Sequence, residues 1–411
     1  MTLRRAVLLL AATSGFAQEW TQWRGPNRDG VAAGFRAPAS WPAALTRRWS
    51  VPAGSGYSSP VVSATHIFAH TREQDQEVVG AFERASGKLA WRKSYPAAFQ
   101  KNKYALSMGQ GPFSTPLLQQ GRLFTLGATA ILSCWDARTG GLLWRHDYSG
   151  AADTSRLFTG TAMSPAIDEG RLLIHTGDDS KGVFRALDAA TGTERWRWEG
   201  DGPGYASPLV VTLGGTRQIV TLTDRRAIGL AAADGALLWS IPFKDEWNEN
   251  IVTPVFHEGR LIFSGVRTGT FALEITRGAG AWTTKKTWDN SGIAMYMSSP
   301  VLDGPHLYGL SSRNKGQFFC LDASTGRVLW TTTGRETQNA SLVSAGEFLL
   351  LLTAEGELIV TRKNPQRWVQ VARYTVSGSP AFAHPVLLGE GVLIKDDRAL
   401  SLWDWAAASG R

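Results

Sequence analysis

The feature that most constrains this chain is an internal repeat. The motif (Thr/Ser/Asp)-Gly-x-x-x-Trp stands at Ser86-Gly87 to Trp91, Thr139-Gly140 to Trp144, Thr191-Gly192 to Trp196, Asp234-Gly235 to Trp239 and Thr325-Gly326 to Trp330. Trp49, Trp288 and Trp368 take the same phase in degenerate copies, which makes eight. A second motif, Ser/Thr-Pro before an apolar run, falls between the tryptophans at Ser59-Pro60, Thr115-Pro116, Ser164-Pro165, Ser207-Pro208, Thr253-Pro254 and Ser299-Pro300. Altered copies at Ser341-Leu342 and His384-Pro385 again make eight. A third element recurs after three of the prolines, as Gly121-Arg122-Leu123, Gly170-Arg171-Leu172 and Gly259-Arg260-Leu261.

From Trp91 to Trp368 the tryptophans are 38 to 53 residues apart, around the ~40–50 of a four-stranded propeller blade. The predicted fold class is therefore all-β: an eight-bladed β-propeller of four-stranded antiparallel blades. The Ser/Thr-Pro run forms the innermost strand, where a proline near the strand start loses few ladder bonds. The Gly-Arg-Leu run forms the second strand, Arg185-Ala186-Leu187-Asp188 exemplifies the third, and the Thr-Gly pair turns the chain into a fourth that carries the tryptophan. Glycine suits that turn because it takes positive φ without a Cβ clash. An indole repeated once per blade is placed to dock across the seam to the next one. The last repeat lacks its own Thr-Gly-x-x-x-Trp, so residues 45–51 around Trp49 are expected to complete it and close the ring.

The N-terminus combines Arg4 and Arg5, an apolar run from Ala6 to Ala12, and small residues up to Ala17. This is the pattern of an export signal, with cleavage expected after Ala17. The run is far shorter than the ~20 apolar residues of a membrane span, and no cysteine lies near the expected cleavage site, so a lipid anchor is not expected. The expected organisation is a signal peptide over 1–17, an N-terminal extension over 18–44 and the propeller over 45–411. The product is expected to be soluble, in the periplasm or secreted. The net charge of +8 includes Arg4 and Arg5 and contains no run of five like charges. It lacks the concentrated basic stripe that nucleic-acid binding requires. Cys134 and Cys320 each lie six residues before a turn glycine, in repeats four blades apart. A disulfide needs Cα atoms within ~7 Å, so two free buried thiols are expected.

Leu187-Asp188-Ala189-Ala190-Thr191-Gly192-Thr193-Glu194-Arg195-Trp196 and Leu321-Asp322-Ala323-Ser324-Thr325-Gly326-Arg327-Val328-Leu329-Trp330 resemble the tryptophan-docking repeats of the pyrroloquinoline-quinone (PQQ)-like β-propellers. That superfamily includes quinoprotein alcohol dehydrogenases, an outer-membrane assembly lipoprotein and many exported proteins without assigned activity. Trp23-Arg24-Gly25-Pro26-Asn27-Arg28-Asp29-Gly30 is similar to the opening of the last group. The resemblance covers nearly the whole chain after residue 17. It implies the fold strongly and the function weakly, because one ring hosts unrelated uses. Where the family binds PQQ, a calcium held by carboxylates and amides lies beside it and adjacent cysteines often stack on it. No adjacent cysteines occur here. Asp178, Asp179, Asp245, Glu246, Asn248 and Asn250 are acid and amide candidates without a spacing that maps onto that site.

Metal and nucleophile motifs are missing from the sequence: no His-Glu-x-x-His, no Gly-x-Ser-x-Gly and no phosphate loop. Candidate binding features remain. Residues 95–112 and 147–162 are unusually long connections from an outer strand to the next inner strand, and loops of that length are often functional. Tyr57, Phe113, Tyr205 and Tyr296 gather where inner strands begin and offer a stacking surface. Arg24, Arg313, Asn314 and Lys315 are polar candidates near the ends of the ring. The expected function is an exported, non-catalytic scaffold that needs no cofactor and binds a protein or polysaccharide through the long-loop face. The alternatives are a PQQ- and calcium-dependent dehydrogenase, or a carbohydrate-active or sensor propeller.

Overall fold

The computed structural model describes residues 19–245, 249–389 and 391–405. The expected signal peptide, and the candidates Glu246 and Asn248, lie outside the described residues. Eight four-stranded antiparallel sheets follow one another as blades. The first seven occupy 61–96, 117–147, 166–200, 209–242, 255–290, 301–331 and 340–375. The eighth takes its three inner strands from Val386–Leu388, Gly391–Lys395 and Ala399–Asp404, and its outer strand from Thr46–Pro52. The ring is thus closed by an N-terminal strand, with Trp49 opposite Leu402 and Val51 opposite Leu400. Inner strands are apolar on both faces because blades cover them from both sides. Phe348–Thr353, for example, is buried along its whole length.

The outer tryptophans share one register position. Trp91 pairs with Ala81, Trp144 with Cys134, Trp196 with Ala186 and Trp330 with Cys320, and a β-bulge follows at each. From there the rings of Trp91, Trp144 and Trp196 lie over the turn glycine of the following blade, whereas Trp330 reaches a hairpin, around Asn364, that has no glycine. A Cβ on Gly140, which has φ +70°, would stand 2.7 Å from the Trp91 ring. Trp144 covers Gly192, Trp196 covers Gly235, Trp288 covers Gly326 and Trp49 covers Gly87 in the same way. The indole Nε1 of Trp91 donates to the Ala137 carbonyl at 3.0 Å, that of Trp288 to Ala323 at 3.0 Å and that of Trp330 to Asn364 at 2.8 Å. The glycine does two things here: it accepts the left-handed turn and leaves room for the ring.

Two further tryptophans depart from this pattern. Trp239 has the right register, opposite Gly229, but donates to Gln218 Oε1 of its own blade at 2.7 Å. The facing hairpin of the fifth blade runs on through nine-residue strands, Gly269–Arg277 and Trp282–Asn290, and offers no glycine turn at docking height. Trp368 is not at the docking position at all, which corrects the sequence phasing. In the seventh blade that position, opposite Val360, is filled by Ala372. Trp368 stands in the hairpin before it, stacked on Phe318 with centroids 5.0 Å apart and edge-on to Trp330. The reason is topological. The eighth blade's outer strand comes from the other end of the chain, so no third-to-fourth-strand hairpin exists there to be covered. Trp41 and Phe35 of the N-terminal extension fill the gap against Trp405 and Phe348, and the Tyr374 hydroxyl donates to the Pro42 carbonyl.

Cys134 and Cys320 are free and fully buried, in the second and sixth blades. No helix among the described residues is long and apolar enough to cross a membrane. Replacing Trp91 by Ala is expected to lower the unfolding free energy by about 3 kcal/mol, at the lower end for a large aromatic because the ring is only partly buried. Gly140→Ala should also destabilise, since the turn and the indole both exclude a Cβ. Equilibrium denaturation measures both, and unchanged midpoints would reject this account of the seams.

Candidate functional site

Every inner strand begins at the same end of the ring, and the extended chain there sends residues i and i−2 to one side. With the Ser/Thr of each Ser/Thr-Pro motif as reference, the residue two before it lines a cavity at the mouth of the central channel in all eight blades. These residues are Tyr57, Phe113, Ala162, Tyr205, Ile251, Met297, Asn339 and Phe382. One tier below lie the reference residues Ser59, Thr115, Ser164, Ser207, Ser299, Ser341 and His384. Phe158 and Thr159 fill in beside the small Ala162, and Trp23 is the remaining aromatic of the lining. The space at the channel mouth amounts to about 980 Å³, open solvent included.

The lower tier is a hydrogen-bonded belt. The backbone N–H of His384 donates to Ser59 Oγ at 2.8 Å, Ser59 N–H to Thr115 Oγ1 at 3.3 Å, and Thr115 N–H to Ser164 Oγ at 3.0 Å. Ser164 N–H then donates to Ser207 Oγ and Ser207 N–H to Thr253 Oγ1, both at 3.0 Å. The Ser/Thr of the motif therefore ties five adjacent pairs of inner strands, from the eighth blade round to the fifth.

Beneath the belt the N-terminal extension is laced through the ring. Trp20 exchanges backbone hydrogen bonds with Val62, and Leu118 N–H donates to the Thr21 carbonyl. Arg28 donates to the Pro165 carbonyl at 2.8 Å, and Arg24, buried, donates to the carbonyls of Pro300 and Asp29. Both guanidinium groups lie against the Trp23 ring, at 5.4 and 5.5 Å, and the His384 ring meets Trp23 edge-on at 6.0 Å. Burial, with the nearby Arg24 charge, pushes the His384 imidazole down to about 3, so it is neutral at ordinary pH.

The long connections are braced. Glu77, fully buried, accepts from the Tyr95 hydroxyl at 2.7 Å, from Ala128 N–H at 2.8 Å and from Arg72 at 3.2 Å, with His70 Nε2 3.3 Å away. Burial alone would raise its carboxyl, but the His70, Tyr95 and Ala128 contacts outweigh it and hold the group below the usual range. Arg72 also donates to the Ala97 carbonyl at 2.8 Å, fixing the start of 95–112. Tyr205 receives the Phe158 N–H on its hydroxyl at 2.7 Å, fixing 147–162. Buried Lys395 donates to the carbonyls of Gly54 and Gly56, each at 3.1 Å, and so positions Tyr57.

The sequence candidates separate accordingly. Tyr57, Phe113 and Tyr205 come together on the cavity lining. Tyr296 stands one residue out of phase and turns away, donating its hydroxyl to Glu249. Arg24 is structural on the far side of the belt. Asp178 caps a turn by accepting from Ser180 and Lys181, and Asp179 pairs with Arg156 of the second long connection at 2.7 Å. Arg313 donates to the Ser291 carbonyl, while Asn314 and Lys315 form a tight hairpin with φ 49° and 61°. None of these five polar residues lines the cavity. The Asp245 carboxylate accepts the Val266 and Arg267 N–H groups at 2.6 Å each, and Asn250 accepts the Asp245 N–H at 2.9 Å and donates to the Thr223 and Phe243 carbonyls at 2.7 Å each. Phe158, Met297, Phe382, Asn339, His384 and Trp23 were missed as site residues, although the two-residue offset from the Ser/Thr-Pro motif marks three of them.

Among the described residues Asn339 is the one amide on the lining and no carboxylate lies on it, and the cysteines are four blades apart. No group of three or more His, Cys, Asp or Glu placed to hold a metal ion occurs among the described residues. This donor set does not fit a calcium-held quinone, a hard cation that takes ~6–8 oxygen ligands, carboxylates prominent among them.

A protein-family model described as outer membrane protein assembly factor BamB matches residues 74–332. The outer membrane protein assembly factor BamB of Yersinia pestis is 24% identical over 371 residues, 85% of this chain and 86% of that protein. The BamB of Shewanella oneidensis is 25% identical over 323 residues, 77% of this chain and 68% of that protein. Among solved structures, the quinohemoprotein alcohol dehydrogenase from Comamonas testosteroni superposes with a TM-score of 0.67 at 14% identity, over 96% of this chain and 81% of that one. That likeness is one of fold.

The neutral, buried His384 gives a pH test. Its folded pKa lies below the unfolded value of 6.5, so between the two the unfolded chain binds more protons and stability falls as pH drops. The unfolding free energy should decline from pH 6.5 towards 4, and His384→Leu should reduce that slope by roughly 1.4 kcal/mol per pH unit. A slope unchanged in the variant would show that His384 is charged in the folded protein.

Proposed function

Because the chain belongs to the PQQ-like propeller family described by outer membrane protein assembly factor BamB, we propose that it is an exported, non-catalytic scaffold that binds a protein or polymer partner across the face bearing the cavity and the two long connections. Second-to-third-strand hairpins and outer-to-inner connections share this face, because strand direction alternates within each blade. One observation carries the reading: among the described residues the lining combines aromatic rings and hydroxyls with neither a carboxylate nor a nucleophile paired to a base, a surface suited to holding a partner. The braced connections support it, since Tyr104 on 95–112 is 75% exposed while both ends of that segment are fixed. Export follows from the signal-like N-terminus.

Calorimetric titration of the protein with PQQ, with and without calcium, separates this reading from a dehydrogenase. No heat at high micromolar PQQ, and no dye reduction with alcohols, are expected. Calcium-dependent binding at one site per chain would overturn the scaffold reading.

A further inference from the structure

We propose that the channel-mouth cavity binds a neutral sugar ring, the end of a glycan chain, with its flat C–H face on the aromatic tier and its hydroxyls on the belt below. This rests on the scaffold reading and names the ligand class for its central site.

The belt's hydrogen bonding is half used. Thr115, Ser164 and Ser207 each accept a neighbouring backbone N–H through oxygen, which leaves their hydroxyl protons directed to no assigned acceptor. Two polar atoms of lining residues are also buried without a partner: Asn339 Oδ1, an acceptor, and the Nδ1 of His384, a donor or acceptor according to tautomer, in a residue only 8% exposed. A purely apolar occupant would leave these groups unpaired, at about 1–3 kcal/mol for each buried one. Among the described residues the lining itself carries no Asp, Glu, Lys or Arg and His384 is neutral, which favours an uncharged occupant; Lys101, whose Nζ lies 6.0 Å from the Phe113 ring centroid, is not part of the lining. What remains is a neutral molecule with one apolar face and several hydroxyls.

The upper tier supplies that face. Phe113, Phe158, Tyr205 and Phe382 are partly exposed at the mouth, and Tyr57 holds Phe382 edge-on with centroids 4.7 Å apart. A pyranose is wide, flat and apolar across its C–H face and hydroxylated at its edge, so it satisfies both tiers together. A peptide aromatic side chain would use the upper tier and leave the belt unmatched.

Saturation-transfer NMR on the folded protein, with methyl hexopyranosides, N-acetylglucosamine trimer, N-acetyl-tryptophanamide and PQQ with calcium as separate probes, tests this. Transfer to ring C–H protons of at least one sugar is expected, with at least a tenfold loss of affinity in Phe382→Ala and in Asn339→Leu. Thermal midpoints of both variants show whether the ring is intact, and Phe158→Ala serves as a third variant if either unfolds. Transfer to the tryptophan amide alone, or to no probe, would overturn the sugar proposal and leave the scaffold reading standing. Binding of PQQ with calcium would overturn both.

Discussion

In six of the eight blades the outer indole is seated on its neighbour's backbone, and the rest of the structure depends on that contact. An aromatic of this size buries ~150–250 Å², worth roughly 4–6 kcal/mol at ~25 cal/mol/Å² and less against a compact unfolded chain. The indole also satisfies a carbonyl left free by the tight turn, as Trp91 does at Ala137. Because donor and turn belong to different blades, no blade completes its own core. The exceptions follow the same logic. Where the fifth blade's hairpin is too long, Trp239 turns inward to Gln218, and where the eighth blade's hairpin is cut by ring closure, the docking residue shrinks to Ala372 and the N-terminal extension covers the seam.

Ring closure fixes the cavity. Eight inner strands enter at one end in the same phase, so a single choice of side chain per repeat, two residues before each Ser/Thr, builds a complete tier. The next position builds the belt, and its hydroxyls tie five adjacent pairs of inner strands together. Below it, Arg24 and Arg28 spend their hydrogen bonds on the carbonyls of blades on different sides of the ring, Pro300 and Pro165. On the cavity face the Glu77 network and the Tyr205 to Phe158 bond hold the long connections in place.

The fold was legible because its signal is redundant. Eight tryptophans, eight Ser/Thr-Pro motifs and the orphan strand around Trp49 all give one ring and one closure. Trp368 misled because an indole near the right spacing looks the same in sequence whether it stands in the outer strand or in the hairpin before it. Only the pairing of Ala372 with Val360 tells them apart. The site was half legible. Tyr57, Phe113 and Tyr205 stood out as aromatics, but Tyr296 did too, and one residue of parity sends it to Glu249 instead. Asn339, Met297 and Phe382 share the informative offset without sharing a residue type. Trp23 and the channel-crossing arginines were invisible as partners because their contacts span up to 276 residues of chain.

The dependence of every blade on its neighbour is tested most directly by thiol reactivity during denaturant unfolding. Cys134 and Cys320 are fully buried in blades on opposite sides of the ring, each opposite a docking tryptophan, Trp144 and Trp330. If the seams make the ring one cooperative unit, both thiols become reactive in a single transition, with one midpoint shared with tryptophan fluorescence. Exposure of one cysteine at clearly lower denaturant than the other would show that blades open independently, and would contradict the account.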